Sequence, residues 1–109
     1  MKLKKFRFKK VSSTNNTAIR IIKNSNYKFG MVTADTQSNG KGQHGKKWIS
    51  FKGNIFVSFF YELKNINKSL SALTKINCLL VKKILEKYYK KKIIFKKPND
   101  LLINKKKIC

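Results

Sequence analysis

The stretch GMVTADTQSNGKGQHGKKWISFKGNIFVSFFYE, residues 30–62, decides the fold. Its centre places Gly40, Gly42 and Gly45 among Lys41, Lys46 and Lys47. Glycine admits positive φ and lets backbone N–H groups converge on one point, and lysine supplies charge, so this loop suits contact with an anion. The flanks then discriminate among loops of that kind. The three glycines satisfy GxGxxG, and residues 40–46 nearly satisfy the phosphate loop GxxxxGK[ST], but both motifs need a helix to open directly after the loop. Here KKWIS and NIFVSFFYE follow, which read as strand, and Lys47 stands where the phosphate loop needs a hydroxyl. Residues 30–36 and 54–62 therefore read as two strands flanking the loop like a long hairpin. A flexible, lysine-rich hairpin loop is the simple alternative.

Working outward, Leu3, Phe6, Phe8 and Val11 sit among lysines in a short strand-like stretch. The cluster SSTNNTAIRIIKN follows, whose small polar residues can cap a short helix with Ala18, Ile21 and Ile22 on one side. On the other flank, residues 69–89 carry Leu70, Leu73, Ile76, Leu80, Val81, Ile84, Leu85 and Tyr88 at three- and four-residue steps. That spacing predicts a long helix with these side chains in the core. KKIIFKK then reads as a strand edge, KPND as a turn forced by Pro98, and the last residues as a hairpin whose returning strand starts at Ile108 and Cys109. One long helix, one short helix and a mainly antiparallel sheet make an α+β class.

A chain of 109 residues has room for one ordinary domain. Its 27 basic residues against 4 acidic ones give +23, which would attract nucleic acid or an anionic membrane. Only Arg7 and Arg20 are arginines, however, and bidentate phosphate reading prefers the guanidinium fork. Lysine, asparagine and isoleucine are abundant together, as A+T-rich codons produce, and no helix-turn-helix, zinc or aromatic-basic RNA motif accompanies the charge. No specific nucleic-acid partner is expected. Cys78 and Cys109 are too few for a disulfide framework or a zinc site, and Cys78 reads as a small apolar group inside the helix. No apolar run approaches the ~18 residues that span a bilayer. The basic start MKLKKFRFKK lacks the apolar core of a signal peptide, so no membrane association and a cytoplasmic location are expected.

Three separated elements share chemistry: a hydroxyl and amide cluster at Ser13, Thr14 and Asn15; the glycine loop preceded by Gln37; and the lysine-flanked KPND turn. Taken singly, each has a plainer reading. Ser13 to Asn15 would be a helix cap, Asp100 a turn residue, Trp48 core, and Lys107 a solvated turn lysine. In this order, STN, then Q with GKGQHGKKW, then GNIFVS ending at Ser58, then KKPND and Lys107, they resemble the biotin protein ligases. That family carries STN, then Q with GRGRRGRxW, then GxxxxS, then KWPND and a hairpin ending KxxG.

The resemblance implies an ATP-dependent ligase. Biotin and ATP form biotinoyl-5'-AMP, and a lysine of a biotin carrier domain, the biotin carboxyl carrier protein of acetyl-CoA carboxylase, then takes the biotin. A lipoate ligase of the same superfamily is the neighbouring alternative, and a basic nucleic-acid-binding or inactive remnant protein lies further off. By the same resemblance, biotin contacts fall to Ser13, Thr14, Asn15, Gln37, Lys41, Gly42, Gln43 and Lys107. Nucleotide contacts fall to Gly40, Gly45, Trp48, Lys96, Asn99 and Asp100. Lys107 and Lys96 are the catalytic cations, offsetting repulsion between carboxylate and phosphate, and Asp100 contributes to a Mg2+ site. Residues 1–109 would be the amino-terminal part of the catalytic domain, without the family's later GxGxN segment and C-terminal barrel and without a preceding DNA-binding domain. Three departures stand out: Lys41 and Gln43 replace arginines, and Lys97 replaces the tryptophan of KWPND.

Overall fold

A computed structural model describes residues 2–109. The chain forms two compact units, one reaching to Lys64 and the other spanning Asn65–Cys109.

In the first unit, strand β1 (Lys4–Val11) leads through helix α1 (Thr14–Asn24) to strand β2 (Phe29–Gln37). The helix carries the chain back to the starting end of the sheet, so β1 and β2 pair in parallel, Lys4 opposite Gly30 and Val11 opposite Gln37. This parallel pair sits within the otherwise antiparallel pairing that the α+β reading expects. Past β2 the chain makes a miniature hairpin, β3 (Gly40–Lys41) against β4 (Lys47–Trp48), joined through a 3-10 turn at Gln43–Gly45. It then runs back along β2 as β5 (Phe56–Tyr61), antiparallel, with Val32 opposite Ser58. The sheet order is β1-β2-β5, with the glycine hairpin as a flap between its two antiparallel members.

Side chains alternate across this sheet as strand geometry requires. Phe56, Ser58 and Phe60 of β5 and Val32 and Ala34 of β2 are buried. Ala18 of α1 packs on Val32 and Phe60, with Phe6 and Ile21 around them. Ile22, expected beside Ala18, is exposed. One turn of helix advances 3.6 residues, so the stripe through Ala18 and Ile21 leaves position 22 at its margin. Gly30 is required by close approach: a Cβ there would lie 2.7 Å from Cε1 of Phe60 and 3.1 Å from the Lys4 carbonyl oxygen.

The second unit opens with helix α2 (Leu70–Leu85), whose N-cap Ser69 accepts from the Ala72 N–H at 3.2 Å. Strands β6 (Ile94–Lys96), β7 (Asp100–Ile103) and β8 (Lys106–Lys107) follow as an antiparallel meander. Asn104 and Lys105, with φ of 51° and 63°, turn β7 into β8. Two central residues with positive φ make the primed turn that matches strand twist. The returning strand runs on as expected, since the Ile108 N–H bonds to the Leu101 carbonyl at 2.8 Å and the Leu101 N–H to the Cys109 carbonyl at 2.9 Å.

Cys78, Ile93 and Leu101 form this unit's core, with Leu85, Phe95 and Ile103 against it. The expected core membership of the α2 stripe is overturned, because Leu70, Ile76, Leu80, Val81, Ile84 and Tyr88 are all exposed. Periodicity tells which side chains share a stripe but not what covers it. A three-stranded meander of short strands covers little.

Candidate functional site

The N-terminus of α1 is where the first unit's polar residues converge. Ser13, in extended conformation, caps the helix through Oγ, which accepts the Asn16 N–H at 3.3 Å. Thr14 donates its backbone N–H to Oε1 of Gln37 at 2.9 Å, and its hydroxyl reaches the same oxygen at 3.3 Å. Gln37 ends β2, and its Nε2 donates to Oγ of Ser50 at 3.0 Å. From β5, the buried Ser58 hydroxyl donates to Thr14 Oγ1 at 2.8 Å and to Asn15 Oδ1, sharing one proton between the two. A chain of hydrogen bonds thus ties α1, β2 and β5 together at one point.

These residues line a cavity of about 190 Å3, made by Ser13, Thr14, Asn15, Gln37 and Ser58 with Lys41, Trp48, Ile55 and the β5 residues Phe56 and Val57. That is smaller than the ~300–1,000 Å3 of sites that swallow a drug-sized ligand, and suits one end of a molecule. Apart from Lys41 at the border, the lining hydroxyls and amides offer donors and acceptors without fixed charge, so the chemistry that fits them is a compact neutral polar head. Trp48 is a wall of this cavity and 38% exposed, not part of a core cluster.

The flap's geometry explains its glycines. A Cβ on Gly40 would lie 2.6 Å from Gln37 Nε2, 2.8 Å from Ser50 Oγ and 2.9 Å from the Trp48 carbonyl oxygen, so glycine lets the flap sit against Gln37. Gly45 has open space around it but φ of +72°, following His44 at 56°. The Gly42 N–H closes the flap on the Lys46 carbonyl at 2.6 Å. Lys41 borders the cavity, while Gln43 stands exposed on the 3-10 turn.

The remaining predicted site residues belong to the second unit. Lys96 lies opposite Asp100 in the β6–β7 register, and Lys107 Nζ pairs with Asp100 Oδ1 at 2.8 Å. Asn99 closes the turn that contains Pro98, after a cis Lys97–Pro98 bond. Among the described residues no three His, Cys, Asp or Glu side chains converge to hold a metal. Each of the four acidic residues is already in an ion pair: Asp35 with Arg7, Glu62 with Lys28, Glu86 with Lys82, and Asp100 with Lys107.

Two participants were given no role by sequence reasoning. Ser58 appeared only as the end of a motif, although a serine at an inward position of an otherwise apolar alternating strand, between Phe56 and Phe60, is itself a signal. Ser50, the partner of Gln37, carries no such signal.

Comparison with known proteins shows the family and the fold. The family model for the biotin/lipoate A/B protein ligase family matches residues 7–109, and the chain belongs to that family. Among curated relatives, the bifunctional ligase/repressor BirA of Bacillus spizizenii is 32% identical over 98 residues, covering 89% of this chain and 30% of that protein. BirA of Escherichia coli is 30% identical over 77 residues, 70% of this chain and 24% of that protein. Among solved structures, the biotin protein ligase of Aquifex aeolicus in complex with biotin and ATP superposes with a TM-score of 0.81 at 30% identity, covering 96% of this chain and 44% of that one. The biotin acetyl coenzyme A carboxylase synthetase of Helicobacter pylori, with bound biotinylated ATP, gives 0.81 at 24% identity, over 98% and 52% of the two chains, and shares the fold. The chain spans a quarter to a third of these curated relatives and about half of these solved ones.

Proposed function

We propose that this chain carries the biotin-binding half of a site that activates biotin with ATP and passes it to a lysine of a biotin carrier domain. The observation that carries the reading is the cluster of uncharged polar side chains of Ser13, Thr14, Asn15, Gln37 and Ser58 in a cavity bordered by Lys41, under a glycine flap. A ureido group presents one carbonyl acceptor and two N–H donors on a small rigid ring, which is the complement of that lining. A lipoyl dithiolane has no such groups, and this decides between the two branches of the family.

In the proposed reaction a carboxylate oxygen of biotin attacks the α-phosphorus of ATP and pyrophosphate leaves. The carrier lysine's amine then attacks the acyl carbon and AMP leaves. Lys41 and the flap residues Gly40, Gly42, Gln43 and Gly45 face the phosphate side, and Trp48 gives an apolar wall that keeps water from the hydrolysable anhydride. Lys107 and Lys96 offset the charge that accumulates as two anions meet. Asp100 holds Lys107 extended across its strand pair until phosphate competes for it, and Asn99 lies beside it in the turn. Asp100 is the residue that would help hold magnesium arriving with the nucleotide, and it would not do so alone, because one carboxylate in an ion pair is not a metal site by itself. When bound, magnesium would neutralise phosphate charge.

The proposed partner is the biotin carboxyl carrier domain of an acetyl-CoA carboxylase, and the proposed location is the cytoplasm. Among the described residues no helix is long and apolar enough to cross a membrane. The test is biotin-dependent ATP–pyrophosphate exchange with Lys107→Ala alongside. Exchange that needs biotin, is not supported by lipoate and falls at least a hundredfold in the variant supports the proposal. Exchange with lipoate instead, or none with either, overturns it.

A further inference from the structure

A second concavity, an open groove of about 560 Å3 that shares no lining residue with the polar cavity, runs between α1 and β1. Phe8, Lys10 and Val11 line it from the strand, and Thr17, Arg20 and Ile21 from the helix. Among the described residues β1 is a margin of its sheet, paired only with β2 across seven residue pairs, so alternate residues of the strand turn their N–H and C=O groups away from the sheet. An unpaired strand edge next to a helix is the geometry in which an extended peptide adds as a further strand and drops alternate side chains into the groove.

The lining states the chemistry of that peptide. Phe8, exposed at 37%, and the half-buried Ile21 make an apolar floor. Lys10 and Arg20 make a cationic rim, with no acidic residue in the lining. Among the described residues the four acids are each paired to bases other than Lys10 and Arg20. Arg20 is also one of two arginines in a chain that otherwise uses 25 lysines, and Arg7 is engaged with Asp35. A guanidinium in a lysine background is the residue type that grips a carboxylate with two parallel hydrogen bonds.

We propose that the β1–α1 groove is a docking site for an extended acidic segment of a partner protein, added to β1 as a strand, with apolar side chains on Phe8 and Ile21 and carboxylates on Arg20 and Lys10. A nucleic acid is the weaker occupant, since the edge offers main-chain hydrogen bonds that a phosphodiester chain does not match. The site is separate from the cavity assigned to biotin, and the proposal stands whether or not that assignment does.

The probe is a fluorescent decapeptide of alternating glutamate and valine, titrated by anisotropy at 150 mM salt. Arg20→Glu should weaken binding at least tenfold. Lys75→Glu, an exposed lysine of α2 that makes the same change in net charge, should weaken it less than twofold. The same peptide N-methylated at every second residue should lose binding at least tenfold, and amide exchange should slow along residues 4–11. Equal losses in the two variants, binding that survives N-methylation, or equal competition by a ten-residue oligothymidylate would each overturn the proposal by reducing it to net charge. Absence of binding would overturn it as well.

Discussion

At the residue scale the account turns on single groups that hold the polar cavity in shape. Ser58 ties Thr14 and Asn15 to β5 through one hydroxyl, so Ser58→Ala removes a shared donor from a buried cluster. Loss of such a bond should cost about 1–3 kcal/mol of stability, read by denaturant titration, with an unchanged slope. Gly40→Ala and Gly45→Ala should separate two roles of glycine. The first forces atoms now 2.6–2.9 Å from the new Cβ to move and should disturb Gln37, whereas the second meets nothing and pays only for φ of +72°, about 1 kcal/mol. Equal effects on ligand binding would contradict that distinction. Gln43 stands where the resembling family carries arginine, and Gln43→Arg should slow release of the adenylate by restoring one charged hydrogen bond worth ~1.5–3 kcal/mol. An unchanged off-rate would show that this position does not retain the intermediate. Cys78 adds a pH dependence: burial, then the charges of Cys109 and Asp100, raise its thiol above the ordinary value. A group raised in the folded state supports the fold fully below its unfolded pKa and loses that support as pH climbs through the folded one. Cys78→Ser should therefore flatten the alkaline side of the stability profile, and a native-state thiol reagent should modify the exposed Cys109 first.

At the element scale, the legibility of the sequence follows from which forces are local. The glycine flap and its flanking strands were readable because the absence of a helix after Gly45 excludes the nucleotide-loop folds, and β2 and β5 do pair in antiparallel register around it. The cap of the short helix is readable too: Ser13 begins it through a hydroxyl three residues ahead of its donor, as Ser69 does at α2. The parallel pairing of β1 with β2 is not legible in the sequence, since direction depends on where the intervening helix lands and not on any residue of either strand. The stripe on α2 was read as core and is exposed at Leu70, Leu80 and Ile84, because burial needs a neighbour that a helical pattern does not specify. The same reasoning explains the candidate site. Ser13, Thr14, Asn15 and Gln37 are legible as polar residues in motif order, and Ser58 as the end of a motif, while its hydrogen bonds to Thr14 and Asn15 depend on how β5 pairs with β2.

At the scale of the whole molecule, charge and site are separable. The net charge of +23 is carried by exposed lysines, and all four acidic residues are already paired, so the folded chain works against its own repulsion. Screening shortens to about 8 Å at physiological salt, and the melting temperature should rise between 20 and 200 mM sodium chloride. A fall would show that the four surface pairs outweigh that repulsion, which their usual worth of ~0–1 kcal/mol each argues against. The hydrogen bonds that hold Thr14, Gln37 and Ser58 in the cavity join neutral groups and should respond little to this balance, with Lys41 the charged member of the lining. Calorimetric titration of the 109-residue chain with biotin, beside Ser58→Ala and with lipoate as the competing ligand, therefore tests the central claim most directly. The account predicts one biotin site, affinity reduced at least tenfold by the substitution, and no displacement by lipoate. Biotin that fails to bind, or binds equally well without the Ser58 hydroxyl, would contradict it.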